Sequence, residues 1–346
     1  MINRIAMFRK YLMLLVLVCF SHFVKAQNLD IHFNGVGFID NREYKAFLIR
    51  STTIFGTRVA LDLGLNLDSL NSFRVGANGL HEFGADPFFV KVDPILYYHY
   101  EHERWQFNIG AFPRNDLVSD YPKAMLNDTL TYYQPNLEGM LTKYSSKYGH
   151  ETIWIDWVSR QTDVNRENFI FGFSGKHHPK PTAPFFISHY FMMLHDAGAK
   201  IAIPDDNIRD NGAAQLRLGL DLSHKTRLDS LTFDAGVMFS FERTRGLNEF
   251  KIPKGFVANM YLGWKRFGLA DSFYAGEGHQ LTYGDAFYTK KLYNRIDISW
   301  APFVFNHIHG KFVFSYHQSP GRLSDNQQSF FLNYDLGRKK LVKIKN

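Results

Sequence analysis

The sequence predicts an all-β chain that closes into a transmembrane antiparallel β-barrel of about sixteen strands, within a range of 14 to 18. Three observations carry the prediction. Beyond residue 27 no segment holds a 3.6-residue amphipathic repeat, whereas segment after segment alternates apolar and polar with period two over nine to twelve residues. The composition, 45% hydrophobic and 21% charged with 33 Phe, 18 Tyr and 5 Trp, supplies a lipid-facing shell and excludes a disordered polyelectrolyte. A single Cys excludes a disulfide scaffold and a cysteine-built metal site.

Residues 1–26 read as an export signal. Arg4, Arg9 and Lys10 give a positive start, Leu12 to Phe20 an apolar run, and Val24 and Ala26 compact residues before Gln27. The apolar run is about half of the ~20 residues a spanning helix needs, so a single-span anchor is disfavoured. Cys19 lies inside that run and follows Val18, which disfavours lipidation. Cleavage after Ala26 removes the only Cys and four cations without an acid, so the charge falls from +7 to +3. Five of the remaining cations (Arg338, Lys339, Lys340, Lys343, Lys345) cluster at the end, and Gln27 to Gly337 is left at −2. A nucleic-acid-binding body needs a basic stripe, which this one lacks. The expected organisation is a signal at 1–26, a barrel at 27–337 and a solvated basic tail at 338–346.

The alternation is plainest at 58–67, where Val59, Leu61, Leu63, Leu65 and Leu67 share one face and Arg58, Asp62, Gly64 and Asn66 the other. It recurs at Trp105/Phe107/Ile109, at Leu216/Leu218/Leu220/Leu222, at Ile296/Ile298/Trp300 and at Phe330/Leu332/Tyr334/Leu336. Strands of about ten residues match the tilted span of a bilayer, against about five or six in soluble proteins. Tyr98, Tyr100, Trp157, Trp264 and Trp300 end the apolar faces where headgroups meet hydrocarbon. In lipid such a sheet must close, because an open edge leaves backbone groups with neither partner nor water. About seventeen alternating segments can be counted; an even number is required of a single exported chain, and sixteen fits 320 mature residues. Long connections at 113–136, 195–211, 243–254, 277–291 and 318–326 alternate with tight turns at 147–149 and 305–306.

With the terminal strand QQSFFLNYDL and the leading signal, the chain resembles the bacterial outer-membrane β-barrel, porin-like class, over essentially its whole mature length. The resemblance implies a channel in the outer membrane of a Gram-negative cell that passes small hydrophilic solutes by diffusion. It implies no cofactor, no metal and no catalytic residue, and as partners outer-membrane lipids, small polar solutes and a second copy in a homo-oligomer, but no nucleic acid. One departure is that RKKLVKIKN follows the last strand, where such barrels usually end on an aromatic residue.

The polar faces assign the channel lining: Arg58, Asp62, Arg74, Glu101, Arg104, Asp156, Arg160, Arg217, Asp221, Asp234, Lys265, Arg295, Asp297 and Lys311. Nearly balanced charge predicts ion-pair ladders, with Arg58/Asp62, Asp156/Arg160, Arg217/Asp221 and Arg295/Asp297 as partners along single strands. The loop Pro113 to Gly139 is the longest and most aromatic, and a loop of that length is usually functional. Folded inward, it would place Asp116, Asp120, Tyr121, Lys123, Asp128, Tyr132 and Tyr133 at a constriction. A competing enzymatic reading rests on HQSPG, which resembles the His-x-Ser element of outer-membrane lipid esterases and deacylases, with His317 as base and Ser319 as nucleophile. Pro320 stands where such sites commonly carry Asn, and only Asp325 offers a nearby carboxylate, so a non-enzymatic barrel is expected. A closed accessory barrel is the remaining alternative. His177, His178, His189 and His195 read as wall or loop residues, and Asp205 to Gly212 as a solvated turn.

Overall fold

The computed structural model describes residues 28–45, 50–115, 117–201, 207–321 and 325–343. The export signal, Asp116 and the first two aspartates of the 205–212 run therefore lie outside the described residues. Sixteen strands form one closed antiparallel barrel in which each pairs with its sequence neighbours and β1 pairs with β16. The first eight are β1 (Asn28–Glu43), β2 (Thr52–Asn66), β3 (Asn71–Glu82), β4 (Lys91–His102), β5 (Trp105–Pro113), β6 (Asn136–Ser146), β7 (Gly149–Ser159) and β8 (Asn168–His177). The rest are β9 (Phe185–Asp196), β10 (Arg209–Asp221), β11 (Ser230–Thr244), β12 (Lys254–Trp264), β13 (Phe267–Gly276), β14 (Leu292–Val304), β15 (Ile308–Gln318) and β16 (Asp325–Lys343).

The period-two pattern sets the outer face. Leu61, Leu63, Leu216, Leu218, Ile298 and Phe312 are exposed on it, and Trp157, Trp264 and Trp300 lie near its ends. No helix among the described residues is long and apolar enough to cross a membrane. The connections that follow the even-numbered strands, two to eight residues long, lie at one end, and the end that follows the odd-numbered strands carries the loops 114–135, 197–208, 245–253 and 277–291.

Two expectations need correction. The basic tail does not begin at Arg338: β16 runs to Lys343 and pairs to the start of β1, Asn28 opposite Lys343. Its start is held by charge, since Arg338 Nη1 lies 3.0 Å from Asp62 Oδ1 and 3.4 Å from Asp30 Oδ1. The lumen is also not uniformly polar. Inward-facing Leu141, Trp154, Tyr190, Met192, Tyr274 and Tyr293 pack with Val118, Tyr121, Met125 and Leu130 of loop 114–135 and with Phe287 and Tyr288 of loop 277–291. Each fully buried aromatic or large aliphatic side chain contributes about 1.5–3 kcal/mol, so the two loops are held by a core of their own inside the barrel.

Glycine makes room in this interior at two places. A Cβ at Gly172 would sit 2.5 Å from the Trp154 ring, so that ring can lie across β8 only over a glycine. A Cβ at Gly64 would meet the Arg74 guanidinium, which crosses β2 there to reach Asp30 on β1, Nη1 to Oδ1 2.5 Å.

Candidate functional site: a charged constriction in the lumen

Loop 114–135 folds into the barrel and is tied to its wall on several sides. The Tyr132 hydroxyl donates to Asp40 Oδ2 of β1 at 3.1 Å, its ring stacks on Phe38 at 4.5 Å, and Arg58 of β2 donates to its carbonyl. Across the lumen the Tyr121 hydroxyl donates to the Phe191 carbonyl of β9 at 3.0 Å and accepts from Trp154 Nε1 at 3.0 Å. Arg114 Nη2 reaches Asp156 of β7 at 2.5 Å. Loop 277–291 descends beside it, and the two join: Asn127 donates from N to the Tyr283 carbonyl at 2.8 Å, and Asp285 N donates to the Lys123 carbonyl at 2.9 Å.

Where they meet, charges converge on Arg295 of β14. Its guanidinium lies 2.7 Å from Asp297, 3.1 Å from Asp128 and 3.9 Å from Asp285, and donates to Ser315 Oγ at 3.1 Å. Lys123 bridges Asp128 at 3.2 Å and Asp297 at 3.6 Å. Arg42 and Asp40 of β1, 2.7 Å apart, lie on the adjoining wall. Burial works to raise the Asp128 carboxyl, yet Lys123 and Arg295 outweigh it and hold it below the usual carboxylate range. For Asp285 burial prevails over the pull of Arg295, and its carboxyl is raised.

Three cavities follow one another past this cluster. One of about 170 Å³ on the long-loop side is lined by Arg42, Tyr44, Asp128, Asp285, Arg295 and Gln327. The next, about 210 Å³, shares Asp128, Arg295 and Gln327 with it and adds Lys123, Asp297, Lys311 and Ser315. The third, about 660 Å³, shares Thr131, Tyr132 and Phe331 with the second and opens among His32, Asp62, Asp335 and Arg338.

Of the residues assigned to the lining, Arg58, Asp62, Arg74, Asp156, Arg217 and Arg295 are buried on the inner face, with Asp234, Asp297 and Lys311 also turned inward. Glu101 and Asp221 sit at the short-turn ends of β4 and β10, where Asp221 Oδ2 is 4.0 Å from Lys176. Arg104, Arg160 and Lys265 are not lumenal. They occupy connections after β4, β7 and β12, and Arg104 donates instead to the Tyr144 hydroxyl. Within loop 114–135, Tyr121, Lys123, Asp128 and Tyr132 are placed as above, the Tyr133 hydroxyl donates to Glu82 at 2.9 Å, and Asp120 comes within 3.8 Å of His150.

Only Arg295/Asp297 pairs along its own strand as expected. Arg58 pairs with Asp93, Asp62 with Arg338, Asp156 with Arg114, and Arg217 lies 3.5 Å from Asp234. The three that fail join residues four apart, about 13 Å along a strand, whereas Arg295 and Asp297 are two apart, about 6.6 Å; the long arginine side chains instead reach one or two strands across, at about 4.8 Å per strand, or in from a loop.

The His317/Ser319 pair does not assemble. His317 is buried inside the barrel, stacked on Phe287 at 4.4 Å, and its Nδ1 shares a hydrogen bond with the Tyr293 hydroxyl at 2.7 Å. Ser319 lies past the strand end and lines an outer groove with Leu292, Asn294 and Tyr316. A different pair, missed by sequence reading, is in contact: Ser240 Oγ of β11 and His279 Nδ1 of loop 277–291 are 2.7 Å apart, and Ser240 is 3.2 Å from Glu242. Burial pushes the His279 imidazole down to about 4, so it is neutral at physiological pH. Of the remaining histidines, His177 and His189 both bond Glu151 on the outer face, at 2.6 and 3.1 Å, and no group of three metal-ligating side chains is poised for a metal among the described residues.

A sixteen-strand closed barrel whose longest loop folds inward over a charged constriction defines the chain as a porin-like outer-membrane β-barrel. Solved barrels share the fold. The outer membrane protein OpdK of Pseudomonas aeruginosa superposes with a TM-score of 0.51 at 8% identity, covering 91% of this chain and 100% of that one. A loop-deletion mutant of OmpT from Vibrio cholerae gives 0.56 at 8% identity over 89% and 98%, and OccAB4 of Acinetobacter baumannii 0.50 at 9% over 92% and 99%. No curated relative matches the chain. The family model for lipid A 3'-O-deacylase-type proteins matches residues 22–336, and the chain belongs to that family. The family is named for an enzymatic activity, which overturns the expectation of a non-enzymatic barrel.

Proposed function

We propose that the barrel passes small hydrophilic solutes across the outer membrane through a narrow charged path between loop 114–135 and the wall made by β14, β15, β16 and β1. The observation that carries this reading is the run of three cavities sharing lining residues, with Arg295, Lys123, Lys311 and Arg42 set against Asp128, Asp285 and Asp297 along the two smaller ones. Opposed cations and carboxylates create a transverse field that orients dipolar solutes while leaving little net selectivity. The hydrophobic plug on the remaining side keeps the path narrow, so the expected cutoff is low and the unitary conductance small. The test is single-channel recording of the refolded full chain in planar bilayers; a barrel that never conducts at any voltage would falsify the reading.

A second reading is acyl-ester hydrolysis on a lipid, favoured by family membership and by the hydrogen-bonded Ser240 and His279. With its proton turned from Glu242 to His279, the Ser240 hydroxyl beside a neutral imidazole would have the arrangement a nucleophile and its base require. Both groups are buried and His279 belongs to loop 277–291 itself, so this reading needs a lipid ester to reach Ser240 while that loop keeps His279 seated on it. The assay is release of fatty acid from phosphorylated glycolipid in mixed micelles.

A further inference from the structure

On the outer surface at the long-loop end, Asp210 of β10 stands directly opposite Arg243 of β11, on the face that carries Leu216 and Leu218. Two guanidiniums share its one carboxylate. Arg243 donates to Oδ2 from Nε at 2.9 Å and Nη2 at 2.6 Å, and Arg245 donates to Oδ2 from Nε at 3.0 Å and to Oδ1 from Nη2 at 2.8 Å. One carboxylate neutralises one of them, so the group keeps a net positive charge. Each guanidinium has five N–H donors and uses two on Asp210, which leaves donors for an oxygen-rich anion. Arg243 is fixed from the other side by the Phe250 ring, 3.9 Å beneath its guanidinium carbon, while Arg245 stays half exposed.

The turn that follows presents Leu247, Phe250 and Ile252 at 67, 45 and 61% exposure. A loop in bulk water gains nothing from exposing three large apolar side chains. This one continues a rim on which Trp157 stacks on Phe169, and Phe169 lies against His195, at 4.9 and 4.8 Å. Aromatic rims of this kind mark the boundary between hydrocarbon and headgroups. Apolar tips beside a pair of under-neutralised arginines match a molecule with acyl chains on one side and phosphate on the other.

We propose that Arg243 and Arg245 form a docking site for the phosphate of a membrane-embedded lipid, with Leu247, Phe250 and Ile252 seated against its acyl chains. The occupant is a lipid headgroup and not free phosphate, since a free anion would gain nothing from the apolar tips.

The experiment uses the refolded full chain in nonionic detergent, with dioleoyl phosphatidic acid as probe and dioleoyl phosphatidylcholine as control, and lipid retention read by native mass spectrometry. Every variant is first checked for heat-modifiable migration, which reports an intact barrel. Wild type is expected to retain phosphatidic acid over phosphatidylcholine. Arg245→Gln, which lies beyond the strand and cannot undo the barrel, is expected to lower retention about tenfold, and the triple change Leu247→Ser, Phe250→Ser, Ile252→Ser to lower it for both lipids. Asp210→Asn frees both arginines and is expected to raise phosphatidic acid retention. Equal retention of the two lipids by wild type, no change in Arg245→Gln, or a loss in Asp210→Asn matching that of Arg245→Gln would each overturn the proposal. Full competition by millimolar inorganic phosphate would also overturn it, in favour of a free-anion site.

Discussion

Arg295→Met is the sharpest test of the constriction, because it removes one charge while keeping the length of the side chain. The wild-type ring holds Arg42, Lys123, Arg295 and Lys311 against Asp40, Asp128, Asp285 and Asp297, four cations to four carboxylates, for a net 0. The substitution makes it −1 and leaves Asp128 and Asp297 with Lys123 as their remaining close cation. Stranding one partner of a buried ion pair costs about 3–5 kcal/mol. Sixteen paired strands do not depend on this contact, so the strain is expected to fall on the joint between loops 114–135 and 277–291. The assay is reversal potential and unitary conductance in planar bilayers under a tenfold KCl gradient. The variant should conduct more and reverse closer to the ceiling of about 59 mV for a monovalent cation. Arg295→Lys should keep the wild-type selectivity, because the charge stays even though the bidentate geometry is lost. A folded Arg295→Met barrel with unchanged selectivity and conductance would place the conducting path elsewhere and refute the assignment.

Four further outcomes follow from the same geometry. Tyr132→Ala removes the stack on Phe38 and the bond to Asp40, a loss of about 3–5 kcal/mol for a buried aromatic; hydrogen exchange in 114–135 should accelerate while the barrel strands stay protected, and equal protection would show that the loop is held without it. His279 has its imidazole lowered to about 4 by burial, so the unfolded or lifted loop binds the proton first. Its stabilisation is therefore complete above pH ~6.5 and is lost as pH falls toward 4, by about 3 kcal/mol at most; protection of 277–291 should drop across that window in wild type and stay flat in His279→Phe. Ser240→Ala should abolish any acyl-ester hydrolysis by at least about a thousandfold, and retained turnover would remove Ser240 from the chemistry. Gly172→Ala forces Trp154 off β8 at a cost of about 1–3 kcal/mol, to be read as earlier heat modification of the barrel, and an unchanged transition would mean that the ring has room to move.

The fold was legible because its determinants are local. Alternation at Leu61/Leu63 or Ile296/Ile298 follows from the two-residue period of a strand, and closure follows from the lack of any other partner for edge groups in lipid. The length and tyrosines of loop 114–135 marked it as an ordered, functional loop but left an outward packing as open as an inward one. The ion pairs were not, because a pairing such as Arg58 with Asp93 depends on register between strands, which one sequence read alone does not fix. Arg104, Arg160 and Lys265 were misplaced for a related reason: extending an alternation by one or two residues past a strand end still looks like a face, and turn residues inherit it. The boundary at Arg338 failed because a run of cations reads as solvated until Asp30 and Asp62, some three hundred residues earlier, are seen beside it.

The hydrophobic half of the lumen was the largest omission, and its cause bears on function. Trp154, Tyr190, Met192, Tyr274 and Tyr293 occupy inward positions that alternation assigns to a polar face. They break the binary pattern only at scattered single sites, which a window average absorbs. In three dimensions those sites converge with Tyr121, Met125 and Phe287 to fill part of the lumen, while cavities remain on the charged side around Arg295. Ser240 and His279 sit at the edge of that filled part, 39 residues apart and on different elements, and no spacing rule links them. The same packing therefore also desolvates Ser240 and His279. The two proposed activities would therefore place opposite demands on loop 277–291: conductance would rise when the loop lifts, whereas the Ser240–His279 bond exists only while it is seated. Lowering the pH toward 4, which favours the lifted loop through His279, should raise conductance and His279 protonation together. A protonated His279 is no base, so hydrolysis should fall over the pH range in which conductance rises.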